Sequence, residues 1–260
     1  SIKSNVVNVS CANFKSAGFT FNSYCNKKSF VITSKHSICD QRGSCEKIKE
    51  DKDNCRTCLY KSQLSTININ RENNSYIIKD FHISTLSDIS LLEIVKNDYQ
   101  NLNLLDDNSL KEYVCWYEEG NKRLLLNSPD VPENELIKYN LESNTTVNLS
   151  TKEEELKGTS GALVFKVQSD CFYPTSIITE DGEMNDIGAE LLNSKVIEEF
   201  NSVANVDLFG KKTIEIYKKN ALEKLLEQSQ KMSKEDPEYK QMLETLQNFQ
   251  TPRPIRDIIG

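Results

Sequence analysis

Glycine is scarce in this chain: there are 9 in 260 residues, with 6 prolines, 3 methionines, 1 tryptophan and 2 histidines. That composition excludes a collagen-like or low-complexity chain. No apolar run approaches 18 residues, which excludes a transmembrane helix. Positive charge is not in excess either. Thirty-two Lys and Arg stand against 39 Asp and Glu, for a net charge of -7, so no nucleic-acid-binding face is expected. The opening residues Ser1-Ile2-Lys3-Ser4-Asn5-Val6-Val7 lack the charged-then-apolar order of a secretory signal. A cytoplasmic location is therefore expected, with neither membrane nor nucleic acid as a partner.

What the chain does have is many short apolar or alternating segments. They are residues 5–10, 17–22, 29–34, 65–70, 75–83, 89–95, 112–117, 122–127, 136–141, 145–149, 162–167 and 174–179. Asn, Asp, Ser and Gly separate them, as they separate strands. Their number and spacing predict a mainly β chain of paired antiparallel barrels. Residues 193–203 read as a short helix. A stripe of Ile214, Tyr217, Ala221, Leu222, Leu225 and Met232 then predicts a longer one. Asp236-Pro237 starts another, carrying Tyr239, Met242, Leu243, Leu246 and Phe249. These two are expected to form a C-terminal helical hairpin over 209–250, either a buttress or a connector. Thr251-Pro252-Arg253-Pro254 opens an extended linker, 251–260.

The segment Gly158-Thr159-Ser160-Gly161-Ala162-Leu163-Val164-Phe165 sets a serine between glycines ahead of an apolar strand. With so little glycine, Gly-x-Ser-Gly is expected by chance roughly 0.03 times. A serine hydroxyl is a weak nucleophile at neutral pH. It needs a base to take its proton and amide donors for the oxyanion its attack creates. The amides of Gly158 and Ser160 are candidate donors. Upstream, Phe30-Val31-Ile32-Thr33-Ser34-Lys35-His36 is a β-branched run that delivers a histidine at its end, and Asp88-Ile89-Ser90-Leu91-Leu92 places an aspartate at the head of another strand. The expected roles are Ser160 as nucleophile, His36 as proton carrier and Asp88 as the group that holds the imidazole tautomer.

These three segments resemble those of the trypsin-like (chymotrypsin-fold) serine peptidases. Val31-Ile32-Thr33-Ser34-Lys35-His36 is similar to that family's Thr-Ala-Ala-His strand end. Asp88-Ile89-Ser90-Leu91-Leu92 is similar to its Asp-Ile-Ala-Leu-Leu, and Gly158-Thr159-Ser160-Gly161 to its Gly-Asp-Ser-Gly. Ser16-Ala17-Gly18-Phe19 resembles the strand that precedes the histidine. The resemblance covers residues 10 to 205. It implies two six-stranded barrels over 1–208, a protein substrate and no catalytic cofactor. Thr159 departs from the family's aspartate, so activation by a newly cut N-terminus is not expected. Lys35 is larger than the usual alanine, and the short spacing from Asp88 to Ser160 implies trimmed loops. By the same resemblance, the floor of the primary specificity pocket maps to Glu154, where an acidic group would favour Arg or Lys. The strand with Ile177, Ile178 and Thr179 maps to the edge on which a substrate backbone pairs. A protease fold that has lost activity and serves as a scaffold for peptides or partner proteins is the competing reading.

Two features lie outside that core. The ending Arg256-Asp257-Ile258-Ile259-Gly260 resembles the entry to the ATPase module of STAND (NLR-like) proteins. Together with the abundance of Asn, Lys and Ile, it implies a bacterial defence effector whose covalently linked sensor follows Gly260. Within the insert 39–60, Cys39, Cys45, Cys55 and Cys58 fall within twenty residues, the last two as a C-x-x-C pair. Structural zinc, free thiols or a redox pair, and disulfides all stay open at these four.

Overall fold

Strands form where β-branched and aromatic residues cluster, and they fall into two antiparallel sheets. The computed structural model describes residues 2–25, 27–45, 54–72, 74–104, 112–116, 122–126, 136–140, 158–168, 171–181 and 186–211. The chain divides into two compact units, Ser1–Gly210 and Lys211–Gly260. The expected hairpin beyond residue 211, the linker 251–260 and the strand at 145–149 lie outside the described residues.

The first sheet contains β1 (Val6–Cys11), β2 (Phe14–Asn22), β3 (Ser29–Ser34), β4 (Ile67–Arg71), β5 (Asn74–Tyr76), β6 (Ile78–Ile83) and β7 (Ile89–Ile94). Their order is β5-β4-β1-β2-β3-β7-β6. The two edge strands, β5 and β6, are joined by the single residue Ile77. Two residues reach at most about 7 Å, so the sheet curls until its edges come together. The sequence predicts one strand over 75–83; it bends at Ile77. Counted as two strands it makes the sheet seven-stranded, where the resemblance implied six.

Both faces of β3 are buried, for two different reasons. Phe30 and Ile32 face outward with Phe19 and Phe21, and pack against Leu163, Phe165, Ile177 and Phe200. Val31 faces into the curl with Val7, Val9, Ile69 and Leu92. This is the period of two that the pleat imposes. Each buried Phe is worth about 1.5–3 kcal/mol relative to exposure, so the outward phenylalanines hold the two sheets together.

The short strand β8 (Asn103–Leu104) leads to the second sheet. That sheet contains β9 (Glu112–Trp116), β10 (Lys122–Leu126), β11 (Leu136–Asn140), β12 (Leu163–Gln168), β13 (Cys171–Asp181) and β14 (Asp186–Leu191), in the order β10-β9-β12-β13-β14-β11. β15 (Gly210–Lys211) pairs with β8. The sequence gives no sign of β14, because Gly188 interrupts it and Asp186 and Glu190 break its apolar alternation. Helix α1 (Asn54–Thr57) is one turn in the cysteine-rich insert. Helix α2 (Ser194–Ala204) starts where the Asn193 side chain accepts the Val196 N–H at 3.0 Å, and it ends at Asn205 in the left-handed conformation. It buries Val196, Ile197, Phe200 and Ala204.

Candidate active site

The site is built where β3 ends. After Ser34 the chain turns through Lys35 into a single 3₁₀ turn, His36–Ile38, which throws the His36 ring off the strand end. Its partner arrives on the adjacent strand. β3 pairs with β7, with Ser34 opposite Ile89, so Asp88, one residue before β7, lies beside His36. Two hydrogen bonds join them. The His36 N–H donates to Asp88 Oδ1 at 3.0 Å, and His36 Nδ1 meets Asp88 Oδ2 at 2.5 Å. Both residues are buried, at 7% and 5% exposure. With Asp88 ionised, Nδ1 carries the proton and Nε2 is left as the acceptor.

The serine comes from the second sheet but is stitched to both. The Ser160 carbonyl accepts the Ala17 N–H of β2 at 2.8 Å. Gly161 donates to the Ile178 carbonyl of β13 at 2.7 Å, and Ile178 donates back to Ala162 at 2.9 Å. Gly158 and Gly161 have φ of +86° and +85°, a region that side chains disfavour. A Cβ on Gly161 would collide with Thr33 Oγ1 and the Ala17 carbonyl, and would stand 3.1 Å from Ser34 N. The backbone next to Ser160 is thus pressed onto the stretch of β3 that delivers His36.

At Nε2 the hydrogen-bond partner is Ser34 Oγ, at 3.3 Å, and Ser34 is itself bonded to Ser37. Among the described residues, no side-chain hydrogen bond joins His36 to Ser160. Asp88 and His36 are together, and the Ser160 backbone lies against the same strand, but the ring's outer nitrogen is turned toward Ser34. Catalytic hydrogen bonds are commonly long in a resting site and tighten with substrate.

The residues expected to bind substrate are placed unequally. Glu154 lies outside the described residues. Ile177 and Ile178 are fully buried in β13, an interior strand between β12 and β14, so neither presents an open edge. On the β12 side the described pairing of β13 stops at Ile178. Beyond it, Glu180 and Asp181 pair with β14 alone, and Thr179 sits at the break in register. Among the described residues, 179–181 therefore have no strand partner on the Ser160 side. The reason is non-local: the edge is set by where β12 begins.

The cysteine insert packs against Lys35, next to the His36–Asp88 pair. Cys39, Cys55 and Cys58 line a cavity of about 20 Å³ together with Lys35, Ile38, Tyr60, Ser62, Phe81 and Ile83. Burial raises the Cys39 thiol, and burial reinforced by Asp88 and the other thiols pushes Cys55 up to about 12. Cys39, Cys45, Cys55 and Cys58 are free, as are buried Cys11 and exposed Cys25. Among the described residues, no three His, Cys, Asp or Glu side chains are disposed to hold a metal ion. Arg56, between Cys55 and Cys58, reaches the second sheet, its Nε 2.8 Å from Glu190 Oε1. The other histidine, His82, lies on β6 with Nε2 3.9 Å from Asp80. No helix among the described residues is long and apolar enough to cross a membrane.

Among solved structures, a human pathogenic astrovirus serine protease is similar to this chain at 13% identity and a TM-score of 0.47, covering 74% of this chain and 91% of that one. No protein-family model matches the sequence. No curated protein sequence matches it either.

Proposed function

We propose that this chain is a serine endopeptidase acting through Ser160, His36 and Asp88. The observation that carries the reading is the doubly bonded His36–Asp88 pair, set where the Ser160–Gly161 backbone crosses from the second sheet onto β2 and β3. The imidazole swings from Ser34 to Ser160 Oγ and accepts its proton through Nε2 as the oxygen attacks a peptide carbonyl. Asp88 holds the Nδ1 proton and stabilises the imidazolium. The amides of Gly158 and Ser160 receive the oxyanion. His36 then returns the proton to the leaving amine, and water releases the acyl group by the reverse sequence. The substrate backbone adds as a strand along residues 179–181, with Glu154 at the pocket floor favouring Arg or Lys. Thr159 offers no carboxylate to a newly cut N-terminus, so control comes from elsewhere: a regulated cytoplasmic effector of bacterial defence, joined to an ATPase or sensor module beyond Gly260. Structural zinc at Cys39, Cys45, Cys55 and Cys58 is carried forward as a proposal that requires the four thiols to draw together.

The turning of Nε2 toward Ser34 favours one competing reading, an inactive scaffold. A serine-reactive fluorophosphonate separates the two. Ser160 is expected to be labelled, with Ser160→Ala and His36→Ala each losing labelling and about 10⁴-fold or more of peptide hydrolysis while still folding. Labelling or hydrolysis retained in Ser160→Ala would sink the assignment.

A further inference from the structure

Asp88 closes a tight loop that begins at Ser84, and Ser84 is held from two sides by opposite charges. On one side stands Glu199 of α2. Its Oε2 accepts Ser84 Oγ–H at 2.6 Å, and its Oε1 accepts the Thr85 N–H at 2.7 Å and the Thr85 hydroxyl at 2.6 Å. On the other side stands Lys35, the residue before the base. Its Nζ donates to the Ser84 carbonyl at 2.8 Å and to the Arg56 carbonyl at 2.9 Å, and its N–H donates to the Asp88 carbonyl at 3.0 Å. Within the loop, Ser84 Oγ accepts the Leu86 and Ser87 N–H groups at 3.0 and 3.1 Å, and Ser84 N donates to Ile89 at 3.0 Å. Ser84 is fully buried and Lys35 is only 5% exposed.

Placing an ammonium there is costly, since burial disfavours the charged form and lowers its pKa; Asp88, Cys58, Cys55 and Glu199 oppose that shift. The amine stands beside the two carbonyls that bracket the Asp88 loop and the cysteine insert. Among the described residues, the hydrogen bonds of Glu199 all go to Ser84 and Thr85, the start of that same loop. A buried cation and a carboxylate 164 residues apart in sequence thus converge on one serine, four residues from the catalytic acid.

Building on the proposed reaction, we propose that Lys35 and Glu199 are positioning residues, a clamp on Ser84 that fixes the Ser84–Asp88 loop and so holds the Asp88 carboxylate on His36. Neither touches substrate or a reacting atom. The clamp fastens α2 and the cysteine insert to the acid of the triad.

The test uses Lys35→Met, Glu199→Ala and the double variant of the full chain. Each single variant is expected to lower kcat about tenfold to a hundredfold through misplacement of the acid–base pair, with KM unchanged because the substrate edge is elsewhere. The double variant is expected to lose no more than the worse single variant, because one device has been broken twice. Glu199→Asp, which keeps the charge, is expected to recover part of the loss. Single variants with kcat within twofold of the parent, losses carried in KM, or losses that multiply in the double variant would each overturn the clamp. A second readout does not need activity. The His36 N–H bonds Asp88 Oδ1 directly, and the Leu86 and Ser87 N–H groups bond Ser84. Hydrogen exchange at these three amides is expected to accelerate at least tenfold in Glu199→Ala while Ile32 and Leu91 amides stay protected. Unchanged exchange at the three rejects the clamp. If exchange responds but the parent chain neither hydrolyses peptides nor labels at Ser160, the clamp stands and the peptidase reading falls.

Discussion

Replacing Gly161 with alanine is the sharpest probe of how the nucleophile is held. Two costs add. At φ +85° an L side chain pays about 1–2 kcal/mol. The new Cβ would also collide with Thr33 Oγ1 and with the Ala17 carbonyl. The hydroxyl can rotate away, but the carbonyl belongs to β2 and must move with its strand. Overpacking of this kind costs about 1–3 kcal/mol. The sum is about 3 kcal/mol, which for a domain near 200 residues lowers Tm by about 6–12 °C. Gly158 is the internal control. It has the same sign of φ, at +86°, but nothing lies within 4 Å of its would-be Cβ. Gly158→Ala should therefore pay only the backbone term, about 1–2 kcal/mol, while still disturbing the amide proposed to receive the oxyanion. Calorimetric melts of the two variants, run beside fluorophosphonate labelling, make the comparison. Gly161→Ala is expected to be the less stable, with labelling slowed in both. If Gly161→Ala melted within 2 °C of the parent, or Gly158→Ala melted lower, the described stitching of Ser160 to β2 would be wrong.

Two predictions concern the insert. In the metal-free protein, burial pushes the Cys55 thiol up to about 12, so Cys55 should then alkylate far more slowly at pH 8 than exposed Cys25. Because the folded value lies above the unfolded one, Cys55 contributes stability that is full below about pH 9 and is lost as pH rises toward 12. Urea melts across that range should flatten in Cys55→Ala, and an unchanged slope would count against the buried placement. Metal content tests the zinc proposal. About one equivalent in protein purified without added metal, lost on chelation together with stability, is the expected result; well under one equivalent, with all four thiols modifiable in the folded state, rejects it.

The three residues proposed as a triad were legible as candidates because each is marked locally in the sequence. A β-branched run ends in His36, an apolar strand starts after Asp88, and Ser160 sits in a glycine frame. What brings them together was not legible. The bend at Ile77 depends on the curl of the whole first sheet, and one strand was expected there. β14 is a strand because β13 and β11 pair with it, against its own Gly188. The substrate edge was expected along Ile177, Ile178 and Thr179; β12 pairs with the first two, a partnership no local pattern announces. Lys35 looked like a departure from a small residue, and only its two carbonyl partners give it a role. Glu199 belongs to no motif of the sequence. Its partners lie more than a hundred residues upstream, beyond the reach of any local pattern.

Ser160 belongs to the second sheet by sequence and to the first by attachment. Its carbonyl rides on Ala17 and its neighbour Gly161 lies on Thr33, in strands paired with one another and ending at His36. Ser160 and His36 therefore share one mechanical frame. If the sheets slide slightly, the slip is taken up at the Gly161–Ile178 and Ile178–Ala162 hydrogen bonds, where the substrate edge begins. On the proposed peptidase reading, such a motion would misalign the peptide track before it separated Ser160 from His36, so a force on the second sheet would be felt first as a change in substrate fit.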